Sequence, residues 1–245
     1  MTSEIPLSVV YQDECLIAIN KPAGLLVHRS PIDKRETRFA VQLLRDQVGR
    51  RVYPVHRLDR PTSGLLLFAF DSATASAIGK QMMARQVKKR YVAVVRGWVK
   101  APGMIDYALK FKADKIADKD RGDIAAQPAC TVYQPLQYFE IPEASGRYTS
   151  SRYTLVQLQP HSGRKHQLRR HMVHLRHPIL GDTSHGDGKQ NKFLRQRFDF
   201  ENLALSCTSM GLEHPEHGRW LTLTCEPGAS INRLLADWQP YQIKI

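Results

Sequence analysis

Between His56 and Gly64 the chain reads His56-Arg57-Leu58-Asp59-Arg60-Pro61-Thr62-Ser63-Gly64, directly before the apolar run Leu65-Leu66-Leu67-Phe68-Ala69-Phe70. A carboxylate set between two arginines is expected to be ionised, because neighbouring positive charge favours the charged form. Thr62, Ser63 and Gly64 supply hydroxyls and backbone amides that suit a tight loop. An ionised carboxylate fixed at a strand edge can serve as a nucleophile or a base. Read alone, the same residues also suit an ordinary Asx-type turn with two solvated arginines.

The elements around this segment are legible from pattern. Leu16-Ile17-Ala18-Ile19 reads as a strand that ends in a turn at Asn20-Lys21-Pro22-Ala23-Gly24. Residues 36–48 place Phe39, Leu43 and Leu44 on one helical face, and Gly49 stops the helix. Residues 65–70 have the length of a buried strand, Asp71 and Ser72 offer N-caps for a helix to about residue 87, and Tyr91-Val92-Ala93-Val94-Val95 reads as a further strand. Residues 112–126 read as an exposed loop. Strands are expected near 130–139, 152–159, 203–207 and 220–225. A helix after Gly163 places Leu168, Met172 and Leu175 on one side, and a last helix covers 230–238. Strands and helices mix without a regular βαβ alternation, which favours an α+β fold. With no repeat or evident linker, one domain over 1–245 is expected.

Charge narrows the function classes. Lys and Arg number 36 against 23 Asp and Glu, a formal net charge of +13, and such a surface attracts polyanions. The distribution is uneven. Ser72 to Ile105 holds no acidic residue, and neither does Ala144 to Gly181, which suggests a continuous positive surface. Lys88, Lys89, Arg164, Lys165 and Arg170 fall in these stretches and are candidate phosphate contacts. The four cysteines form no C-x-x-C pair, which fits a reducing cytoplasm. The chain has no apolar run of transmembrane length, and its first residues do not read as a secretory signal.

Five ordered segments carry a resemblance. They are Asn20 to His28; His56 to Ala69; Lys89-Arg90-Tyr91-Val92-Ala93; Gly163-Arg164-Lys165-His166-Gln167-Leu168-Arg169; and His177-Pro178-Ile179-Leu180-Gly181-Asp182. Together they resemble the RluA family of pseudouridine synthases along nearly the whole chain. The order and spacing of the five are far more specific than any one of them.

The resemblance implies the pseudouridine synthase fold: a bent, mostly antiparallel central sheet flanked by helices, with a cleft across the middle. It implies Asp59 as the catalytic carboxylate and Tyr91 as the ring that stacks on the target uracil. Arg169 would be the basic partner of the aspartate, and Arg57 an RNA contact that fills the space of the flipped base. The reaction breaks N1–C1′ of uridine, turns the uracil and rebonds through C5. The product is an isomer, so no cofactor is expected. The target base must leave its stack at a cost of a few kcal/mol, which a basic surface and a stacking tyrosine can offset.

The stretch His185-Gly186-Asp187-Gly188-Lys189-Gln190-Asn191 resembles one found in tRNA-modifying members of the family and implies tRNA, at position 65, as the substrate. Ser206 and Cys207 stand where relatives often have His-Ala. The motifs start near residue 16, so no N-terminal S4 domain is expected. No obligate protein partner is evident. No metal is expected either: the histidines from His161 to His177, and His214 and His217, lack the His-Glu-x-x-His arrangement or a nearby cysteine cluster. The rival readings are the same reaction on ribosomal RNA and a non-catalytic RNA-binding protein on the same fold.

Overall fold

The computed structural model describes residues 6–29, 36–110 and 125–244. In chain order the elements are β1 (Ser8–Gln12), β2 (Leu16–Lys21), α1 (Ala40–Val48), β3 (Tyr53–Pro54), β4 (Ser63–Ala69), α2 (Ser72–Met83), β5 (Lys88–Arg96) and β6 (Gly103–Asp106). There follow β7 (Cys130–Ile141), β8 (Ser151–Pro160), α3 (Gln167–His174), α4 (Gly188–Phe198), β9 (Leu205–Glu213), β10 (Trp220–Thr224), α5 (Ala229–Asp237) and β11 (Gln242–Ile243). Apart from residues 125 and 126, the loop expected over 112–126 lies outside the described residues.

The chain is distributed over two compact units. Among the described residues, one unit comprises the chain through Lys89 together with Cys207–Gly228, and the other comprises the chain from Arg90 to Ser206 together with Ala229 onward.

In the first unit the strand order is β1-β2-β4-β9, with β3 on β4 and β10 on β9. β2 and β4 run antiparallel, with Ile17 opposite Phe68 and Ile19 opposite Leu66. Leu16 to Ile19 and Leu65 to Ala69 are all buried, which is why both strands read as unbroken apolar runs rather than alternating ones. Each large side chain here contributes about 1.5–3 kcal/mol by leaving water. α2 starts where its cap was expected: the Asp71 carboxylate accepts from the Thr74 amide at 2.8 Å. It ends at Met83, short of residue 87, because Arg85 turns into the left-handed region at φ 58°. α1 starts at Ala40 rather than near 36, because Phe39 is extended and bridges to Leu26.

In the second unit the order is β5-β8-β7-β11, with β6 on β7, and these pairs are antiparallel. Its core includes buried Val94 and Val156, and Phe139 and Tyr153 pack against Trp238, with Tyr153 stacked on the indole at a centroid distance of 4.6 Å. The expected strands near 130–139 and 152–159 are β7 and β8, and the last helix is α5. α4 carries no clear apolar stripe, since Leu194 is its one buried residue, and pattern reading passes over it.

Candidate active site

Asp59 opens a turn whose Thr62 amide donates to the Asp59 carbonyl at 3.0 Å. Leu58 is buried on one side of it, and Thr62 and Ser63 on the other, so the half-exposed Asp59 side chain springs from a backbone fixed at both ends. A second loop holds this one. The Gly24 amide donates to the Arg60 carbonyl at 2.9 Å, and Arg60 Nε donates back to the Gly24 carbonyl at 3.1 Å. The Arg60 guanidinium also pairs with Glu36 at 2.5 Å.

Lys21 joins the two loops from inside. It is fully buried, and its Nζ donates to the carbonyls of Pro22 at 2.9 Å, Leu25 at 2.9 Å and Arg60 at 3.2 Å. Three carbonyl acceptors match the three hydrogens of an ammonium group. Burial pulls its pKa down to about 7, and the negative charge of Asp59 opposes that pull. Sequence reading placed Lys21 in the first motif but gave it no role. The available signal was a lysine at the end of an apolar strand, where a charge needs partners.

Gly64 is required by a close approach. It sits at φ 104°, and a Cβ there would lie 2.1 Å from the Cys207 carbonyl oxygen. The departure at Ser206 and Cys207 therefore falls in fully buried strand backbone that passes against the start of β4. His56 is also interior. Its Nε2 accepts the Leu67 amide at 3.2 Å, and burial, then the Lys89 charge, push its pKa well down, so it is neutral.

The basic residues of this unit differ in placement. Arg57 and Lys88 are exposed, as phosphate contacts must be. Lys89 departs from that expectation. Its ammonium approaches Met82 Sδ at 3.6 Å, and burial lowers its pKa. The alternation along β5 turns Lys88 outward and Lys89 inward.

In the second unit, Tyr91 lies on β5 opposite Leu158 and is only 9% exposed. Arg169 is buried in α3 and forms a two-pronged pair with Asp182: Nε to Oδ2 at 2.7 Å and an Nη to Oδ1 at 2.8 Å. Both side chains are almost wholly inside, at 4% and 1% exposure. Burial pushes the Asp182 carboxyl up, but the Arg169 fork and the amides of His185 and Ser184 outweigh it, so the net shift is down. Asp182 closes the last of the five motifs, and this pairing is the role that sequence reading missed.

The rest of the α3 motif folds the motif itself. Gln167 Oε1 accepts from Ser162 Oγ at 2.8 Å and from the Arg164 amide at 3.1 Å, while its Nε2 donates to the Cys130 carbonyl and Thr131 Oγ1, each at 3.0 Å. His171 Nε2 donates to the Tyr107 carbonyl at 3.1 Å, which fixes the tautomer and lets Thr131 Oγ1 donate to Nδ1 at 2.9 Å. His166, left-handed at φ 55° at the head of α3, meets His185 ring to ring, Nδ1 to Nε2, at 2.9 Å.

The His185-to-Asn191 stretch is a clamp. Asp187 caps α4 and pairs with Arg96, while Asn191 accepts the Gly181 amide at 2.9 Å and donates to the Asp182 carbonyl at 3.0 Å. It thereby holds the loop that carries Asp182. Arg164 and Arg170 are half-buried and Lys165 is exposed.

Among the described residues, Asp13, Cys15 and His214 offer donor atoms close enough together for a cation. His214 Nε2 already bonds Asp13 Oδ2 at 2.9 Å, and Asp13 Oδ1 accepts the amides of Cys15 at 2.9 Å and Leu16 at 2.7 Å. The trio therefore reads as a clamp between the β1–β2 turn and the end of β9. Among the described residues no helix is long and apolar enough to cross a membrane.

The family described as RNA pseudouridylate synthase matches residues 15–174. A protein of Vibrio parahaemolyticus named tRNA pseudouridine synthase C is 53% identical over 212 residues, 86% of each chain. Its namesake from Yersinia pestis is 52% identical over 89% of this chain and 85% of its own. Among solved structures, human RNA pseudouridylate synthase domain containing 4 superposes with a TM-score of 0.70 at 26% identity, over 97% of this chain and 94% of its own. Human RNA pseudouridylate synthase domain containing 1 shares the fold, with a TM-score of 0.73 at 24% identity over 98% and 89%. With five motifs in order, an α+β fold and this breadth of match, the chain belongs to the RNA pseudouridylate synthase family.

Proposed function

We propose that the protein isomerises uridine to pseudouridine in tRNA, at position 65, with Asp59 as nucleophile. The observation that carries this reading is the Asp59 turn: a half-exposed carboxylate on a backbone locked by a second motif, with a buried ammonium, Lys21, coupled to it. The tRNA substrate is supported by relatives about half identical to this chain that are named tRNA pseudouridine synthase C.

In this reading Asp59 engages the uridine, N1–C1′ breaks, the uracil turns and C5–C1′ forms. The C5 proton leaves to solvent and N1 takes one up, so the product has the composition of the substrate and no cofactor is consumed. Tyr91 stacks on the uracil, and Arg169 supplies positive charge toward Asp59. The pair with Asp182 uses two of the five guanidinium N–H groups and fixes the plane of the fork. Arg57, Lys88, Arg164, Lys165 and Arg170 meet phosphates. The protein works in the cytoplasm as a single catalytic domain without an obligate protein partner.

The test is tritium release from 5-tritiated uridine in tRNA, with a binding titration on the same folded preparation. Asp59→Asn is expected to lose release and keep binding. Near-normal release from the folded variant overturns the mechanism. Mapping pseudouridine in RNA from a deletion strain tests the target: the modification is expected to vanish at tRNA position 65, and a loss confined to ribosomal RNA overturns the tRNA assignment.

A further inference from the structure

We propose that Tyr107, His174 and Arg170, none of them assigned to the target uracil, form a second nucleobase-stacking platform that grips another exposed base of the RNA substrate. This rests on the reading of tRNA as substrate. Tyr107 follows β6, and His174 ends α3. Their rings stack at a centroid distance of 4.0 Å with 22° between planes. Tyr107 is 46% exposed although it is a large aromatic, and His174 is also exposed. A stacked aromatic pair open to solvent presents a π-face to any base, whatever its identity.

The platform is held from beneath. The Tyr107 amide donates to the Ala129 carbonyl at 3.1 Å, and its own carbonyl accepts from His171 Nε2 at 3.1 Å. His171 also meets the Tyr107 ring edge-on at 6.5 Å. Buried His171, bonded also to Thr131, therefore ties the backbone of Tyr107 to α3 before any ligand arrives. A ring positioned in advance loses little entropy on binding.

Charge points to a nucleic acid rather than an apolar partner. Arg170 stands four residues before His174, on the same face of α3. Lys110 is exposed just beyond Tyr107, and Arg176 is exposed just past the end of the helix. Among the described residues, Asp106 is an acidic neighbour, exposed at the end of β6. An aromatic pair bordered by cations fits a base with its phosphate.

The experiment measures tRNA affinity at several salt concentrations and steady-state tritium release, for the full chain and its Tyr107→Ala, Tyr107→Phe, His174→Ala and Arg170→Ala variants. Tyr107→Ala is expected to weaken tRNA binding roughly tenfold, as loss of one stacked base does, with kcat at saturating tRNA unchanged. Its salt dependence should match that of the unaltered protein, because no phosphate contact is lost. Tyr107→Phe should bind like the unaltered protein, whereas Arg170→Ala should lower the log–log salt slope by about one unit.

His174→Ala, at an exposed helix end, keeps the test decisive if Tyr107→Ala fails to fold. It is expected to weaken binding in the same way. Unchanged affinity in a folded Tyr107→Ala or His174→Ala overturns the platform, and so does a Tyr107→Phe as weak as Tyr107→Ala, since the hydroxyl would then be the contact. Absence of tritium release from tRNA by the unaltered protein overturns the functional reading itself, a result distinct from an active enzyme indifferent to Tyr107.

Discussion

Each unit has a buried cation, and the two are satisfied in opposite ways. Lys21, fully buried in the first unit, gives its hydrogens to three backbone carbonyls. Arg169, in the second, is paired with one carboxylate through a two-pronged fork. A lysine ammonium is a compact charge with three donors free to turn, so it can draw three carbonyls from two loops onto one point. A guanidinium is a planar fork that fits a carboxylate in one plane and so fixes an orientation. Lys21 thus ties loops together while its charge remains available to Asp59. The Arg169–Asp182 fork fixes where a guanidinium points.

The sharpest way to separate these roles is at the group they serve. Asp59→Asn leaves both anchors in place and is expected to cut turnover by more than about a thousandfold, near the upper end for loss of one reacting group. Melting temperature, measured beside tritium release, should change little.

Breaking the fork should cost the most stability. Asp182→Asn takes the carboxylate charge of the fork away from buried Arg169, an expected loss of about 3–5 kcal/mol by chemical denaturation. Arg169→Met with Asp182→Leu should recover much of that, since paired removal leaves no orphan charge. The wild-type pH dependence has a defined sign. The Asp182 pKa is lowered in the fold, so its stabilising contribution is complete above the ordinary carboxylate range and is lost as pH falls below about 4. If Asp182→Asn matched wild type in stability at neutral pH, the fork would not be the anchor described.

Lys21→Met should cost less, about 2–3 kcal/mol, because the carbonyls it abandons are neutral. Its pH signature has the same sign but falls in a higher window. The Lys21 pKa is pulled down to about 7, so between there and its ordinary value of 10.5 the unfolded chain binds more protons. Its contribution therefore grows more favourable as pH rises through that window. The difference in unfolding free energy between wild type and Lys21→Met, taken from pH 6 to 10, should carry this slope; a flat difference contradicts the assignment.

The smallest effect contrasts two adjacent lysines. Lys88→Ala should lower the log–log salt slope of RNA binding by about one unit. Lys89→Ala should leave the slope nearly unchanged, because its ammonium faces inward toward Met82. Equal slopes for the two variants would place Lys89 back among the phosphate contacts.

Much of this was legible from residue order. The apolar runs at 16–19 and 65–70 gave β2 and β4 because strands buried on both faces need no polar alternation. Asp71 gave the start of α2 because a cap is a local bond, three residues long. α4 escaped because it covers little core and is held by Asp187 and Asn191 instead of an apolar stripe. β1, with no fully buried residue, left no apolar pattern to read. Lys88 and Lys89 looked alike because a charge run does not announce which member a strand turns inward.

The sequence by itself determined which groups could react and which apolar segments were strands or helices, because both depend on residue type and on neighbours within a few positions. Only the tertiary structure decided that Lys21 serves the Asp59 loop, that Arg169 is held by Asp182, and that His171 fastens Tyr107. These partners lie 39, 13 and 64 residues apart. A buried polar group must be satisfied by whatever packing brings to it, and that choice is made by the fold as a whole.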